Sequence, residues 1–361
     1  MTAKKLTEEE IIKMVQEQIG KTLEPKETKV EPEEKVVVKR KPVKVGAGQK
    51  KFSEVFGYVP ETLPDFAVTV HSAGTFSSVV TAFIPPADDP ELDGYVPQKG
   101  VFEVVVFGIE NGDKVQISGP TGSGKSSAVA FACQKLQRPF VRINMNGDIE
   151  SSALFGQLVV EDGATKWRDG GVTEGVLHGA VVCIDEWEVM PPEIGMGFQR
   201  VLERGGMLFL KEKPGTSEDK MIKPHPATRF VFCGNTVGQG DDTGGFAGVA
   251  VQNTAMIDRF DISVHMDYLG ADHEIAVITS KCKDVDAKLC KKLVQYASLI
   301  RSAYKQSSIS LTMSPRTLIN WAQKSVAYGD TKVGLQYAFL NKLRDSDKKI
   351  ADEYYTKVFG K

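Results

Sequence analysis

No apolar run in the chain approaches the about 18 residues needed to cross a bilayer, and the Met1 end, MTAKKLTEEE, lacks an apolar core of signal-peptide length. A cytoplasmic location with no membrane contact is therefore expected. An excess of one charge is also missing. Lys and Arg total 45 against 47 Asp and Glu, a net charge of −2, so no global field demands nucleic acid or an anionic surface as partner, and any polyanion site has to be local. Cysteine is sparse: Cys133, Cys183, Cys233, Cys282 and Cys290 show no CxxC spacing, and Cys183 and Cys233 sit inside apolar, strand-like runs. They read as reduced core residues, not as ligands or disulfides. His225 stands between two prolines with no second ligand at metal-binding spacing and reads as structural. Internal repeats are absent. The 361 residues suffice for about two domains, each with its own core.

Four stretches differ in pattern. Thr7 to Leu23 opens with a capping box, Thr7 with Glu10, and carries Ile11, Val15, Ile19 and Leu23 four apart, the stripe of an amphipathic helix that needs a partner surface. Glu24 to Lys51 is crowded with Lys, Glu and Pro and reads as a charged linker, which completes an N-terminal region over 1–51. Its basic run Lys39-Arg40-Lys41-Pro42 reads as a solvated stretch, with nucleic-acid contact as the competing reading. Over 52–100, aromatics and prolines such as Phe56, Tyr58, Pro60 and Pro85 keep no period, so the segment is expected to drape over the next domain. Over 101–268, apolar runs alternate with helical stretches: Val115 to Ser118, Val141 to Met145, Val181 to Ile184, Phe230 to Gly234 and Ile262 to Met266. Strands alternating with helices predict a parallel sheet covered on both faces. Over 269–361 the strand signal vanishes, and Asp286 to Ser307, Pro315 to Tyr328 and Ser346 to Phe359 predict a helical second domain.

The chemistry concentrates at strand ends. Gly119, Pro120, Thr121, Gly122, Ser123, Gly124, Lys125, Ser126 and Ser127 come directly after the run Lys114 to Ser118, so a strand feeds a Gly-rich loop and then a helix. That is a P-loop: its glycines let backbone N–H groups turn toward phosphate oxygens, Lys125 reaches the β- and γ-phosphates, and the Ser126 hydroxyl can ligate Mg²⁺. ATP and Mg²⁺ are the expected ligands. Val181 to Ile184 leads into Asp185 and Glu186, which places two acids where a doubly wound sheet gathers its ligands. Asp185 can hold Mg²⁺ through its water shell, and Glu186 is placed to activate the water that attacks the γ-phosphate. Asn235 ends another apolar strand and can position the same water or sense the γ-phosphate. Arg229, Arg259 and Arg316 are candidates for a guanidinium at the γ-phosphate, a contribution of ~10³ to 10⁵ in rate in GTPases. The residues alone leave open which arginine acts.

The chain resembles the AAA+ ATPases, and within them the CobS-like and MoxR-type family. The resemblance rests on Val141-Arg142-Ile143-Asn144, Leu154-Phe155-Gly156, Trp167-Arg168-Asp169-Gly170, Ile184-Asp185-Glu186, Gln199-Arg200-Val201-Leu202-Glu203, Pro224-His225-Pro226-Ala227, Gly234-Asn235-Thr236, Asp258-Arg259-Phe260 and Ser314-Pro315-Arg316. It implies an α/β fold: a P-loop NTPase core with a parallel five-stranded sheet between helices, and after it a small α-helical lid. It implies Lys125 and Ser126 as Walker A, Asp185 and Glu186 as Walker B, Asn235 as sensor 1, Arg259 as a finger on a neighbour's nucleotide, and Arg316 as sensor 2, in cis or in trans. It implies a homo-oligomeric ring, usually hexameric, that remodels or activates a partner, for which a von Willebrand A-domain protein is the expectation. Val159 to Gly171 then corresponds to an insertion facing the ring's pore, where Trp167 and Lys166 either grip a substrate or pack on their own chain, and Lys211 to His225 is expected to form a second hairpin. Members also occur in phage genomes, which would put the protein in a host cytoplasm. A cobaltochelatase-type metal-insertion subunit, a nucleic-acid motor and a nucleotide-locked scaffold are the alternatives.

Overall fold

The computed structural model describes residues 48–72, 74–240 and 251–360; the expected Thr7 to Leu23 helix and the basic run at Lys39 to Pro42 lie outside them. β1 (Gln49–Lys51) pairs antiparallel with β2 (Ala67–Thr69), and α1 (Phe52–Phe56) lies between them. The linker expected to run to Lys51 therefore ends in a strand. The cause is Phe52, which is fully buried against Phe66 and Phe102, ring centroids 5.1 and 6.3 Å away, and draws the preceding residues alongside β2.

After the short α2 (Ser78–Thr81) come α3 (Phe102–Asn111), β3 (Val115–Ser118), α4 (Lys125–Leu136) and β4 (Phe140–Asn144). Then come α5 (Ser151–Phe155), the strands β5 (Gly156–Glu161) and β6 (Ala164–Asp169), α6 (Gly171–His178), β7 (Val181–Asp185) and α7 (Pro192–Leu202). β8 (Leu208–Phe209), β9 (Met221–Ile222), β10 (Arg229–Gly234), α8 (Thr254–Ile257) and β11 (Ile262–His265) complete this half. Five strands form one parallel sheet in the order β11-β3-β10-β7-β4. Crossover helices are what parallel neighbours require, and they cover both faces. The α/β class expected from the alternation is the class observed.

Period-2 alternation sorts each buried strand between two apolar layers. Val115, Ile117, Val181, Cys183, Val231 and Cys233 point into one, with Phe52, Ile109, Val129 and Leu136. Val182, Ile184, Phe230 and Phe232 point into the other, with Phe155, Trp187 and Phe198. The Cys183 and Cys233 sulfurs lie 3.8 Å apart in the first layer, and all five cysteines are free thiols.

The insertion is a hairpin of β5 with β6, turned by Asp162 and Gly163 at φ 54° and 76°. Both positive values define the tight turn that an Asp-Gly pair favours. Trp167 lies across Gly156, where a Cβ would come within 2.5 Å of the ring, and its Nε1 donates to Asp169 at 2.7 Å. Of the two readings of Trp167, the ring is seen packed on its own hairpin; the apolar side chains exposed there are Leu158 and Val160. The second hairpin pairs β8 with β9 and so begins at Leu208, ahead of the expected Lys211.

The remaining helices are α9 (Ala271–Lys281), α10 (Ala287–Lys305), α11 (Pro315–Tyr328), α12 (Thr331–Ala338) and α13 (Asp345–Phe359), and they share a third core around Tyr296 and Trp321. Asp286, Ser314 and Asp330 cap three of them with side-chain acceptors. No helix among the described residues is long and apolar enough to cross a membrane.

Phe232 is fully buried and meets Trp187, Phe198 and Phe260 at centroid distances of 6.1, 5.8 and 5.0 Å. Phe232→Ala is expected to destabilise the protein by about 3–5 kcal/mol, read as a lower urea midpoint at unchanged m-value.

Candidate nucleotide-binding and catalytic site

The loop after β3 is held by close backbone contacts. Gly119, at φ 151°, lies so near β11 that a Cβ would fall 2.1 Å from the Met266 carbonyl oxygen. Its N–H donates to the Gly234 carbonyl at 3.2 Å, which ties the loop to the end of β10. Gly122 and Gly124 also have positive φ, 75° and 92°, and Gly124 is the N-cap of α4. A Cβ on Gly122 would come within 2.9 Å of the Ser314 side chain at the start of α11, so the loop and the helical region meet at this glycine.

Lys125 is 8 % exposed. Its Nζ donates to the carbonyls of Gly119 (2.8 Å) and Pro120 (3.1 Å) and to Oδ1 of Asn235 (3.2 Å). Burial pushes its pKa below the usual lysine value, because desolvation disfavours the charged form. The same Asn235 oxygen accepts from the Thr121 hydroxyl at 3.3 Å, so the expected sensor amide already reads the loop.

Asp185 ends β7, and Glu186 comes next in the left-handed region, φ 56° and ψ 37°, as N-cap of a 3₁₀ turn over Trp187–Val189. For a non-glycine residue that conformation carries strain of order 1 kcal/mol and is characteristic of functional positions. The Glu186 N–H donates to Oδ1 of Asp185 at 3.2 Å, and Arg142 from β4 donates to Oδ2 through Nε at 2.9 Å and Nη2 at 2.5 Å.

One cavity of about 610 Å³ gathers these groups. Of the residues singled out in the sequence, Thr121, Gly122, Gly124, Lys125, Ser126, Ser127, Asp185, Glu186, Asn235 and Arg316 line it. Gly119 and Pro120 contribute through their carbonyls on Lys125. Ser123 is set apart: its hydroxyl is buried without a partner. Arg259 lies outside the cavity. Its Nε donates to the Gln199 carbonyl at 3.1 Å, Nη1 to the Ala255 carbonyl, and Nη2 pairs with Glu203 at 2.8 Å. Arg229 starts β10 at the end away from Asn235, donating to carbonyls of Ile109, Pro226 and Thr228, a structural role. His225 Nδ1 accepts from the Ala227 N–H, also structurally.

Two groups near the site have no motif to announce them. Glu188 is fully buried; its Oε1 accepts the Asn235 N–H at 2.5 Å, while its backbone carbonyl accepts from Gln252 at 2.9 Å. Three acids in four residues, Asp185, Glu186 and Glu188, were the available signal. Arg301 in α10 forms a buried bidentate pair with Glu274, both contacts 2.8 Å, donates to the Met313 carbonyl, and stacks on Tyr268, whose hydroxyl donates to the Thr121 carbonyl. That chain of contacts joins the P-loop to the turn that presents Arg316.

Comparison with known proteins bears on what this cavity does. An AAA domain of the dynein-related subfamily matches residues 114–260, and a CbbQ/NirQ/NorQ C-terminal domain matches 274–352. The aerobic cobaltochelatase subunit CobS of a Sinorhizobium species is 32 % identical over 280 residues, which cover 75 % of this chain and 83 % of that one. The chain belongs to the CobS-like family of AAA ATPases. Among other relatives, CbbQ of Hydrogenophilus thermoluteolus is 26 % identical over 57 % of this chain and 71 % of its own length. The gas vesicle ATPase GvpN2 of Halobacterium salinarum is 27 % identical over 48 % of this chain and 52 % of its own. As a CobS-like AAA ATPase, the protein binds and hydrolyses nucleotide.

Burial raises the pKa of Glu188 above the usual carboxylate value. A group whose folded pKa is raised destabilises the fold at neutral pH, and the penalty lifts as pH falls through the folded pKa. Glu188→Gln keeps an acceptor for Asn235 and removes that titration. Its stability relative to wild type is therefore expected to be higher at pH 7 than at pH 5, measured by urea unfolding at both.

Proposed function

We propose that the protein is a ring-forming ATPase that hydrolyses ATP between subunits and uses the change in ring shape to remodel or activate a partner protein. In this reading Lys125 and the N–H groups of the Gly119 to Ser127 loop hold the phosphates, Glu186 takes the proton of the attacking water, and Asn235 orients that water. Arg316 reaches the γ-phosphate from the helical region.

The residues fit Mg²⁺. The cavity lining includes the Ser126 hydroxyl and the Asp185 carboxylate, both hard oxygens. Mg²⁺ keeps water and phosphate ligands and asks for only one or two protein oxygens, which these two can supply. When bound it neutralises phosphate charge; the proton transfer and the positioning belong to Glu186, Asn235 and Lys125.

The observation that carries the ring is the position of Arg259. Lys125, Ser126, Asp185, Glu186, Asn235 and Arg316 line one cavity, whereas Arg259 lies outside it and is held by Glu203, its side chain 23 % exposed. A finger that does not face its own site is available to a neighbour's. The hexamer and a von Willebrand A-domain client come from the family resemblance. The likeness to CobS over most of its length favours a second reading, the ATPase subunit of a metal-insertion complex; there the partner carries the chelating chemistry and turnover responds to it.

Molar mass by light scattering and phosphate release with ATP and Mg²⁺ test the ring. Glu186→Gln is expected to assemble and to lose turnover by about 10²- to 10⁴-fold. Arg259→Ala is expected to be as slow, yet a mixture of the two variants to recover part of the rate, since an intact finger then meets an intact Glu186. A monomeric protein with an active Arg259→Ala variant would sink the ring.

A further inference from the structure

Arg142 stands on β4 opposite Cys183 of β7, two residues short of Asp185. It reaches along the strand and places two donors on a single carboxylate oxygen, Oδ2 of Asp185. Oδ1 takes the Glu186 N–H, so both oxygens of the acid are engaged by the chain itself. The pair is lopsided: the Asp185 side chain is 10 % exposed, that of Arg142 is 40 % exposed. The anion is fixed in the cavity floor, and the cation sits in its open wall beside Ser126 and Ser127.

A carboxylate this buried needs a counter-charge. Lys125 is in the same cavity, but its ammonium is directed to two carbonyls and an amide oxygen. Arg142 is the cation in contact with Asp185. A divalent ion drawing on Asp185 would bring a second positive charge to an acid already neutralised, so the metal and the guanidinium compete for it. Displaced, the guanidinium remains in the wall of a cavity built for phosphates, where planar bidentate pairing suits it.

We propose that Arg142 is a built-in counter-ion that holds Asp185 while no metal is bound, yields it to Mg²⁺ arriving with nucleotide, and thereby reduces the dependence of nucleotide binding on Mg²⁺. Both halves of the exchange act in one direction. Arg142 offsets the repulsion between Asp185 and metal-free ATP, and it taxes the metal that replaces it. The inference rests on the reading of Asp185 as the residue that holds Mg²⁺.

The test is the affinity for a fluorescent ATP analogue in Mg²⁺ divided by its affinity in EDTA, measured on the full chain. Arg142→Ala is expected to raise that ratio about tenfold, the scale of coupling between close charges in a protein site. Arg142→Gln, which keeps most of the side-chain volume, is expected to do the same, and Arg142→Lys to stay near wild type. Asp185→Asn is expected to bring the ratio toward one, with or without Arg142. If Asp185→Asn leaves the ratio at the wild-type value, the metal reading fails. If Asp185→Asn collapses it while Arg142→Ala and Arg142→Gln leave it unchanged or lower it, Asp185 keeps its role and the counter-ion role of Arg142 is overturned.

Discussion

Parallel pairing of β10 with β3 on one side and β7 on the other sets the level of the groups that leave the ends of these strands for the cavity. Gly234 lies opposite Ser118, and Cys233 opposite Asp185. The loop that begins at Gly119, the amide of Asn235 and the acid pair therefore leave the sheet in one row. Since side chains alternate along a strand, a one-residue slip of β10 would exchange its two faces, sending Phe232 toward α4 and Cys233 toward Trp187. The large aromatics on one side and the small sulfurs on the other forbid that exchange. Core packing, rather than any contact in the site, keeps the site in register.

Within that frame the cavity is organised by where charge is placed. Lys125, Asp185 and the neighbouring Glu188 are each held by a different kind of partner. Lys125 is held by neutral oxygens and Asp185 by Arg142, while Glu188 is buried under Asn235 with one oxygen on a backbone N–H and the other without a partner. The Lys125 ammonium is thus kept at the mouth of the loop by acceptors that a phosphate can outbid, which is a preorganised arrangement for an anionic ligand. The link from Thr121 through Tyr268 and Arg301 to Met313 extends the arrangement to the helical region, so that Arg316 is presented by a turn whose backbone is held from below.

The parts legible in the sequence were those written in consecutive residues. The P-loop, the Asp185-Glu186 pair, the five strands and the helices at Pro315–Tyr328 and Asp345–Phe359 all carry a local signal of period, cap or spacing. What could not be read depends on which strands become neighbours. Arg142 and Asp185 are 43 residues apart and meet because β4 joins β7 at the sheet edge. Glu188 belongs to no motif, and only the fold of the turn at Trp187 buries it beneath Asn235. Arg259 was recognised as a motif, but its partner Glu203 was not, because the contact crosses from the end of α7 to the segment after α8.

The left-handed backbone at Glu186 separates two demands that usually coincide. In the proposed mechanism chemistry asks for a carboxylate there; the backbone asks for a residue that tolerates positive φ, and β-branched side chains tolerate it least. A lineage that gave up hydrolysis and kept binding would be free of the first demand and still bound by the second. Drift at this position should then run toward Gly, Asn or Asp, and away from Val, Ile or Thr, leaving the shape of the turn as a trace of the lost activity.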